Sequence, residues 1–500
     1  FKQKTAYEIR LSLVGSEMCI RDSLNRLPAR PALSGLFYWV DLGWRAAPLR
    51  VFPPRSGRPH SDHPGYDAFM PVREASVPSA PPGLGPRREE ALDAIRQLWG
   101  YDTLRPLQEE AIAATLARRD SLVVMPTGGG KSLCYQLPPL LSGRLCIVVS
   151  PLIALMKDQV DGLRAAGYPA AALHSNLDAE ETAAIRAQVA AGGVRLLLVA
   201  PERLLTESFL AWLARLHDKG GGAEGTGGIE SIAIDEAHCI SQWGHDFRPE
   251  YRRLAELRAI FPGVPFHAYT ATATPRVRDD IVAQLRLREP VVLVGIFDRP
   301  NLTYRILPRV DLLEQVVEAL NRHPNRAAIV YCISRKDTES LAASLRNRHI
   351  DARAYHAGMD GSERTRVQSD FKNEKLNVVV ATVAFGMGID RGDVRCVIHA
   401  AMPKTVEHYQ QETGRAGRDG LPAECVLFYS GGDVVRWKQV MQRGAQDSDA
   451  PDDSVRAALA VQFELLEHIQ RLCSGTRCRH RALTAYFGHC LLYTSPSPRD

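Results

Sequence analysis

Met125-Pro126-Thr127-Gly128-Gly129-Gly130-Lys131-Ser132 decides how the rest of this chain reads. The apolar residues 122–125 enter it with the length of a buried strand, and a segment of helical character leaves it. Glycines at such a junction let backbone N–H groups approach a phosphate, and the helix N-terminus adds partial positive charge. In this pattern Thr127, Gly128, Gly129 and Gly130 form the cradle, Lys131 reaches the β- and γ-phosphates, and the Ser132 hydroxyl ligates Mg²⁺. Met125 stands where the strict pattern has its first glycine, a substitution that loops of this type tolerate.

Working outward, short apolar runs at 145–150, 194–200, 231–235 and 266–272 follow the loop's own strand, mostly separated by helical stretches. A second series occupies 327–332, 352–356, 378–382, 396–399 and 424–429. Continuous apolar strands alternating with helices indicate parallel sheets covered on both faces. Two series in tandem predict an α/β fold of two domains, 89–300 and 301–435, joined near residues 299–308.

Residues 24–86 hold twelve prolines and no sustained periodicity, so residues 1–88 are expected to form no packed core. Residues 1–23 and 491–500 differ in texture from the remainder and read as non-native, adaptor-like sequence, with Met70 a plausible native start. Lys219–Gly228, with six glycines in ten residues, reads as a surface loop. A small third region occupies 436–490; within it the acidic stretch through Asp447, Asp449, Asp452 and Asp453 reads as a solvated linker, and Val455, Leu459, Leu466 and Ile469 mark a helical stretch after it.

The net charge of +5 is misleading about partners. Residues 24–88 carry nine arginines against four acids, whereas 89–500 carry 49 basic and 50 acidic residues. A polyanion bound by the main body must be held by local patches and backbone amides. No run reaches the length of a membrane span. Ten scattered cysteines without a visible signal peptide suit a reducing cytoplasm better than a disulfide scaffold.

Asp235-Glu236 closes the run 231–235 about one hundred residues after the glycine loop. A carboxylate there can share Mg²⁺ with Ser132 while its neighbour polarises the attacking water, the arrangement that ATP hydrolysis requires. Charge developing on the γ-phosphate needs a cation, and Arg415 and Arg418 in Gln411-Glu-Thr-Gly-Arg-Ala-Gly-Arg418 offer two from the second domain.

With these residues in place, the stretch from Leu98 to Tyr429 resembles the RecQ family of superfamily 2 DNA helicases. The resemblance implies two RecA-like domains, ATP and Mg²⁺ as cofactors, and 3′–5′ movement on single-stranded and forked DNA in repair and recombination, in a bacterial cytoplasm at the nucleoid. Tyr101, Arg105 and Gln108 match the family's adenine-recognition segment. Ser150–Gln159, Ala200–Arg203, Thr270–Ala273, Tyr331–Arg335 and Ala381–Asp390 match its DNA-contact and coupling motifs, which places Arg203 and Arg335 on DNA. His238-Cys-Ile-Ser-Gln-Trp-Gly-His-Asp-Phe-Arg-Pro-Glu-Tyr251 looks like the family's aromatic-rich loop. Trp243 and Phe247 then offer stacking faces to unpaired bases, and Arg248 a phosphate or cation–π contact.

The match weakens at the C-terminus. The family continues into a subdomain in which four cysteines bind Zn²⁺, yet here only Cys478, ahead of Tyr486-Phe-Gly488, matches, and only Cys490 follows. Cys473 and Cys478 by themselves form a weak metal spacing. Two rival readings follow: an ATPase fragment that binds DNA without unwinding it, and an RNA helicase or translocase, which the aromatic loop disfavours.

Overall fold

The computed structural model describes residues 83–220, 228–386, 391–446 and 452–489. The readings for residues 1–82, for most of the glycine-rich loop, for Asp390, Asp447, Asp449 and Cys490 and for 491–500 fall outside them. Within them, helix α1 (Arg88–Trp99) buries Ala91, Leu92 and Ile95 and stops at Gly100, whose left-handed φ of 70° terminates it. Leu84 is already buried. Packing among the described residues therefore includes a position ahead of residue 88. Helix α2 (Gln108–Leu116) follows.

Strands β1 (Ser121–Val124), β2 (Leu145–Val149), β3 (Ala170–Leu173), β4 (Leu196–Val199), β5 (Ile229–Ile234), β6 (Phe266–Thr270) and β7 (Val291–Val294) form one sheet in the order β3-β4-β2-β5-β6-β1-β7. Strands β8 (Leu302–Pro308), β9 (Ala327–Tyr331), β10 (Ala352–Tyr355), β11 (Val378–Ala381), β12 (Val394–His399) and β13 (Ala423–Tyr429) form the second, in the order β10-β11-β9-β12-β13-β8. Every pairing in both sheets is parallel. Inner strands such as β1, β2, β5 and β6 are buried along their whole length, as the uninterrupted apolar runs require.

Three strands escape the apolar-run reading, and all three lie at sheet edges. β3 is Ala-Ala-Ala-Leu, without the β-branched residues that mark strands. β7 and β8 alternate between buried and exposed positions because one side of an edge strand faces solvent. β8 falls inside the stretch read as the join between domains, and its pairing with β13 makes it part of the second sheet.

Asp120, just before β1, holds the base of the first sheet together. Its carboxylate accepts from Phe266 N at 2.9 Å and Arg288 N at 2.7 Å, and pairs with buried Arg258 at 2.6 Å. Removing it strands a buried guanidinium and two backbone donors. Asp120→Ala should lower unfolding free energy by about 3–5 kcal/mol. Urea denaturation checks this, and a loss below about 1 kcal/mol would show that water reaches the pair.

Downstream helices include α3 (Lys131–Gln136), α4 (Pro275–Gln284), α5 (Arg335–Asn347), α6 (Val406–Thr413), α7 (Gly431–Gln446), α8 (Asp452–Ser474) and α9 (Arg479–Tyr486). The last of these and the residues after it pack on the connection between the sheets. Phe487 stacks on Phe297 with centroids 4.4 Å apart, Arg278 of α4 donates to Phe487 O at 2.8 Å, and Tyr486 OH donates to Glu407 Oε1 of α6 at 2.6 Å.

Candidate functional site

The glycine loop leaves the carboxyl end of β1 and enters α3, as its sequence requires. Gly128 and Gly130 adopt φ of 82° and 81°, which a side chain would strain. Lys131 is partly buried and donates through Nζ to Met125 O at 3.1 Å. Burial pulls its ammonium below the usual lysine range, opposed by the charges of Glu236 and Asp235. Gln108 of α2 donates through Nε2 to Gly130 O at 3.0 Å and accepts from Arg105 N at 2.7 Å. Arg105 reaches Gly128 O. Tyr101 is 54% exposed. Arg105 and Gln108 therefore buttress the loop's backbone, while the Tyr101 ring is open to solvent.

β6 separates β1 from β5 in the sheet, so the loop and the acids after β5 emerge at the same edge, the usual ligand crevice of an open parallel sheet. Asp235 is buried; its N–H donates to Val149 O at 2.9 Å, and its Oδ1 accepts from Glu236 N at 3.0 Å. Burial, reinforced by the Glu236 carboxylate, pushes Asp235 up to about 7. Glu236 sits in the left-handed region at φ 48°, a conformation that costs energy for a residue with a side chain. Its own burial is outweighed by His238, whose Nδ1 lies 3.3 Å from Oε2, so Glu236 is held below its ordinary range. His238 Nδ1 also lies 2.9 Å from Thr270 Oγ1, which joins the acids to the Thr270–Ala273 segment. A hydroxyl from Ser132 and the Asp235 carboxylate are oxygen donors of the kind that Mg²⁺ selects. The residues fit that ion.

The second sheet supplies the cations. Helix α6 runs into Gly414, whose added Cβ would come within 3.0 Å of Thr127 Cβ, so only glycine lets this turn seat against the phosphate loop. Arg418 Cγ lies 3.7 Å from where a Cβ on Gly128 would stand, and its charge acts on Lys131. Arg415 is buried beside Tyr331, and its charge acts on Glu236. The connection between the sheets holds this turn in place. Arg299 donates to Ala416 O at 3.0 Å and Gly417 O at 2.8 Å, and Asn301 to Gly417 O at 2.9 Å.

The aromatic-rich loop starts directly behind the acids. Trp243 is partly buried, with the Arg276 guanidinium 3.2 Å from its ring centroid. Phe247 is 39% exposed and is the more accessible ring. Arg248 spends its donors inside the first domain, on Pro151 O at 3.1 Å and on Asp246 at 3.0 Å. It braces the loop against the Ser150–Gln159 segment.

The DEAD/DEAH box helicase model matches residues 105–281, and the helicase conserved C-terminal domain model matches residues 309–420. The ATP-dependent DNA helicase RecQ of Pasteurella multocida is 43% identical over 403 residues, covering 81% of this chain and 61% of that protein. The ATP-dependent DNA helicase hus2/rqh1 of Schizosaccharomyces pombe is 40% identical over 413 residues, covering 81% of this chain and 30% of that protein. The chain belongs to the RecQ family. It spans 61% of the length of its bacterial relatives from P. multocida and Haemophilus influenzae. Among solved structures, the Mycobacterium smegmatis helicase Lhr bound to ssDNA and AMP-PNP superposes with a TM-score of 0.52 at 20% identity, over 75% of this chain and 56% of that one. That likeness is one of fold: two RecA-like domains.

The two other arginines expected on DNA in this RecQ-family chain differ in setting. Arg203 donates to His174 O and Thr182 Oγ1, both at 3.1 Å, and so ties the segment after β3 to the helix Ala179–Ala190 that follows it. Arg335 opens α5 and is exposed. The zinc expected of the RecQ family finds no ligand set among the described residues. Cys473 is buried, its thiol pushed up to about 12 by burial, and Cys478 only precedes α9. The two metal-compatible clusters among the described residues, His238-Cys239-Asp246 and His323-Cys396-Glu424, involve neither. In both, arginines already neutralise the acid: Arg248 on Asp246, and Arg305 and Arg322 on Glu424. Among the described residues, no helix is long and apolar enough to cross a membrane.

Sequence reading passed over Arg299 and Asn301, which hold the arginine turn, and His245 and His408, described below. Nothing in the local spacing marks the first two. They act through carbonyls more than one hundred residues away.

Proposed function

We propose that this chain is the ATP-hydrolysing core of a 3′–5′ DNA helicase that moves along single-stranded DNA and opens forked duplexes in repair and recombination. The observation that carries the reading is the composite site: the phosphate loop and acids lie on one domain, the arginines on the other. ATP with Mg²⁺ supplies the γ-phosphoryl group and the charge neutralisation for its displacement. Lys131 and the loop amides orient phosphates, and Ser132 and Asp235 hold the ion. Glu236 accepts the proton of the attacking water. Arg418 and Arg415 meet charge that develops in the transition state. Tyr101 and Arg105 flank the adenine, and Gln108 reads its edge. Because hydrolysis needs both domains together, domain closure and the chemistry bias each other, and differential DNA affinity of the closed and open states turns hydrolysis into movement.

Trp243 and Phe247 report DNA to this site, with Arg248, Arg203 and Arg335 placing the strand. Trp243→Ala should leave basal hydrolysis unchanged and blunt its stimulation by single-stranded DNA even at saturation. Base–aromatic stacking contributes about 1–3 kcal/mol per base, so the half-saturating DNA concentration should also rise. Basal rate, DNA-saturated rate and melting temperature on one variant separate the outcomes. Full stimulation at saturating DNA would reduce Trp243 to a contact. Falling stability together with falling basal rate would make it a packing residue that Arg276 covers. A wild-type ATPase that responds equally to RNA would favour the RNA translocase reading.

A further inference from the structure

His245, at the centre of the aromatic-rich loop, has no part in the chemistry above, yet it touches both domains. Its ring lies face to face with His238, centroids 4.3 Å apart and planes 14° from parallel. On its other side it meets His408 edge-on, at 4.8 Å and 77°. His238 contacts Thr270 and Glu236 of the first domain. His408 lies in the first turn of α6, and its ring is set by the helix cap: Thr405 Oγ1 accepts from His408 N at 3.2 Å and lies 3.0 Å from Nδ1. Lys404, just ahead of that cap, feels the charge of Asp246 in the same loop. Three imidazoles thus run unbroken from the acids after β5 to the helix that leads into Gly414, Arg415 and Arg418.

We propose that His408 is a positioning residue: it docks the second domain on the aromatic-rich loop through His245, so that displacement of the loop displaces the arginine turn. This rests on the reading that the loop reports DNA. The contact suits such a role because α6 is a short rigid lever whose far end seats on Thr127. A shift of the ring at its start is carried to the arginines at its end.

The test uses the full chain and an oligothymidylate as the DNA. His408→Ala should lower the ratio of DNA-saturated to basal turnover by about fivefold or more, the lower end of coupling between distinct sites. KM for ATP and the half-stimulating DNA concentration should change little. His408→Phe, which keeps a ring edge toward His245, should recover most of the ratio, and His245→Ala with His408→Ala should be no worse than His245→Ala alone. If His408→Ala fails to fold, His408→Gln, which retains a cap bond to Thr405 and lacks the ring, replaces it. An unchanged ratio, a Phe variant as impaired as Ala, or fully additive losses would each overturn the proposal. A wild type whose ATPase ignores DNA would overturn this proposal together with the helicase reading. A stimulated wild type beside an equally stimulated His408→Ala would overturn this one alone.

Discussion

Lys131→Ala is expected to lower DNA-stimulated ATP turnover by at least about 10³-fold, a loss of roughly 4 kcal/mol of transition-state stabilisation. The ammonium is the cation that the glycine loop itself supplies, and no neighbour replaces it: Arg105 is committed to Gly128 O, and Arg418 arrives from the other domain. The fold should survive. Lys131 holds one carbonyl, Met125 O, and its burial already disfavours its charge. The melting temperature should therefore shift by no more than about 2–4 °C, the size that 1 kcal/mol produces in a domain of this scale. Steady-state ATPase with saturating single-stranded DNA, alongside thermal melting, checks both halves. Retention of more than a few per cent of turnover would remove the glycine loop from the catalytic site.

Arg418→Ala is expected to cut kcat by about 10³-fold or more while KM for ATP moves little, because a cation supplied in the transition state contributes little to ground-state binding. The neighbouring Arg415 serves as an internal contrast. It is buried beside Tyr331 and Glu236, so Arg415→Ala should reduce turnover and stability together. Equal losses in kcat and nucleotide affinity for Arg418→Ala would recast it as a ground-state phosphate ligand. An unchanged kcat would leave Arg415 as the transition-state cation supplied by the second domain.

Much of the local geometry was legible in the sequence because it rests on backbone conformation over a few residues. A glycine run between a buried strand and a helix has few other uses, and the structure gives Gly128 and Gly130 the positive φ that the run foretells. The acids after β5 and the inner strands follow in the same way, from continuous apolar runs. The edge strands β3, β7 and β8 were not legible, since half-exposed or alanine-rich segments carry little of that signal. The third region was partly legible. Its helices begin at Gly431, packed on the second sheet through the buried Asp433 and its pair with Arg309 at 2.7 Å, rather than as a separate unit after a linker.

Residue order alone dictated the two parallel sheets, the phosphate loop and the acid pair, because burial pattern and glycine content act over a handful of neighbouring positions. What depended on the folded chain was the meeting of distant parts. Gly414 seats on Thr127, Arg299 and Asn301 grip the turn that carries Arg418, and His245 lies between His238 and His408. Each joins positions that periodicity does not relate. Their geometry arises from how the two sheets dock, which is set by side-chain packing summed over the whole interface.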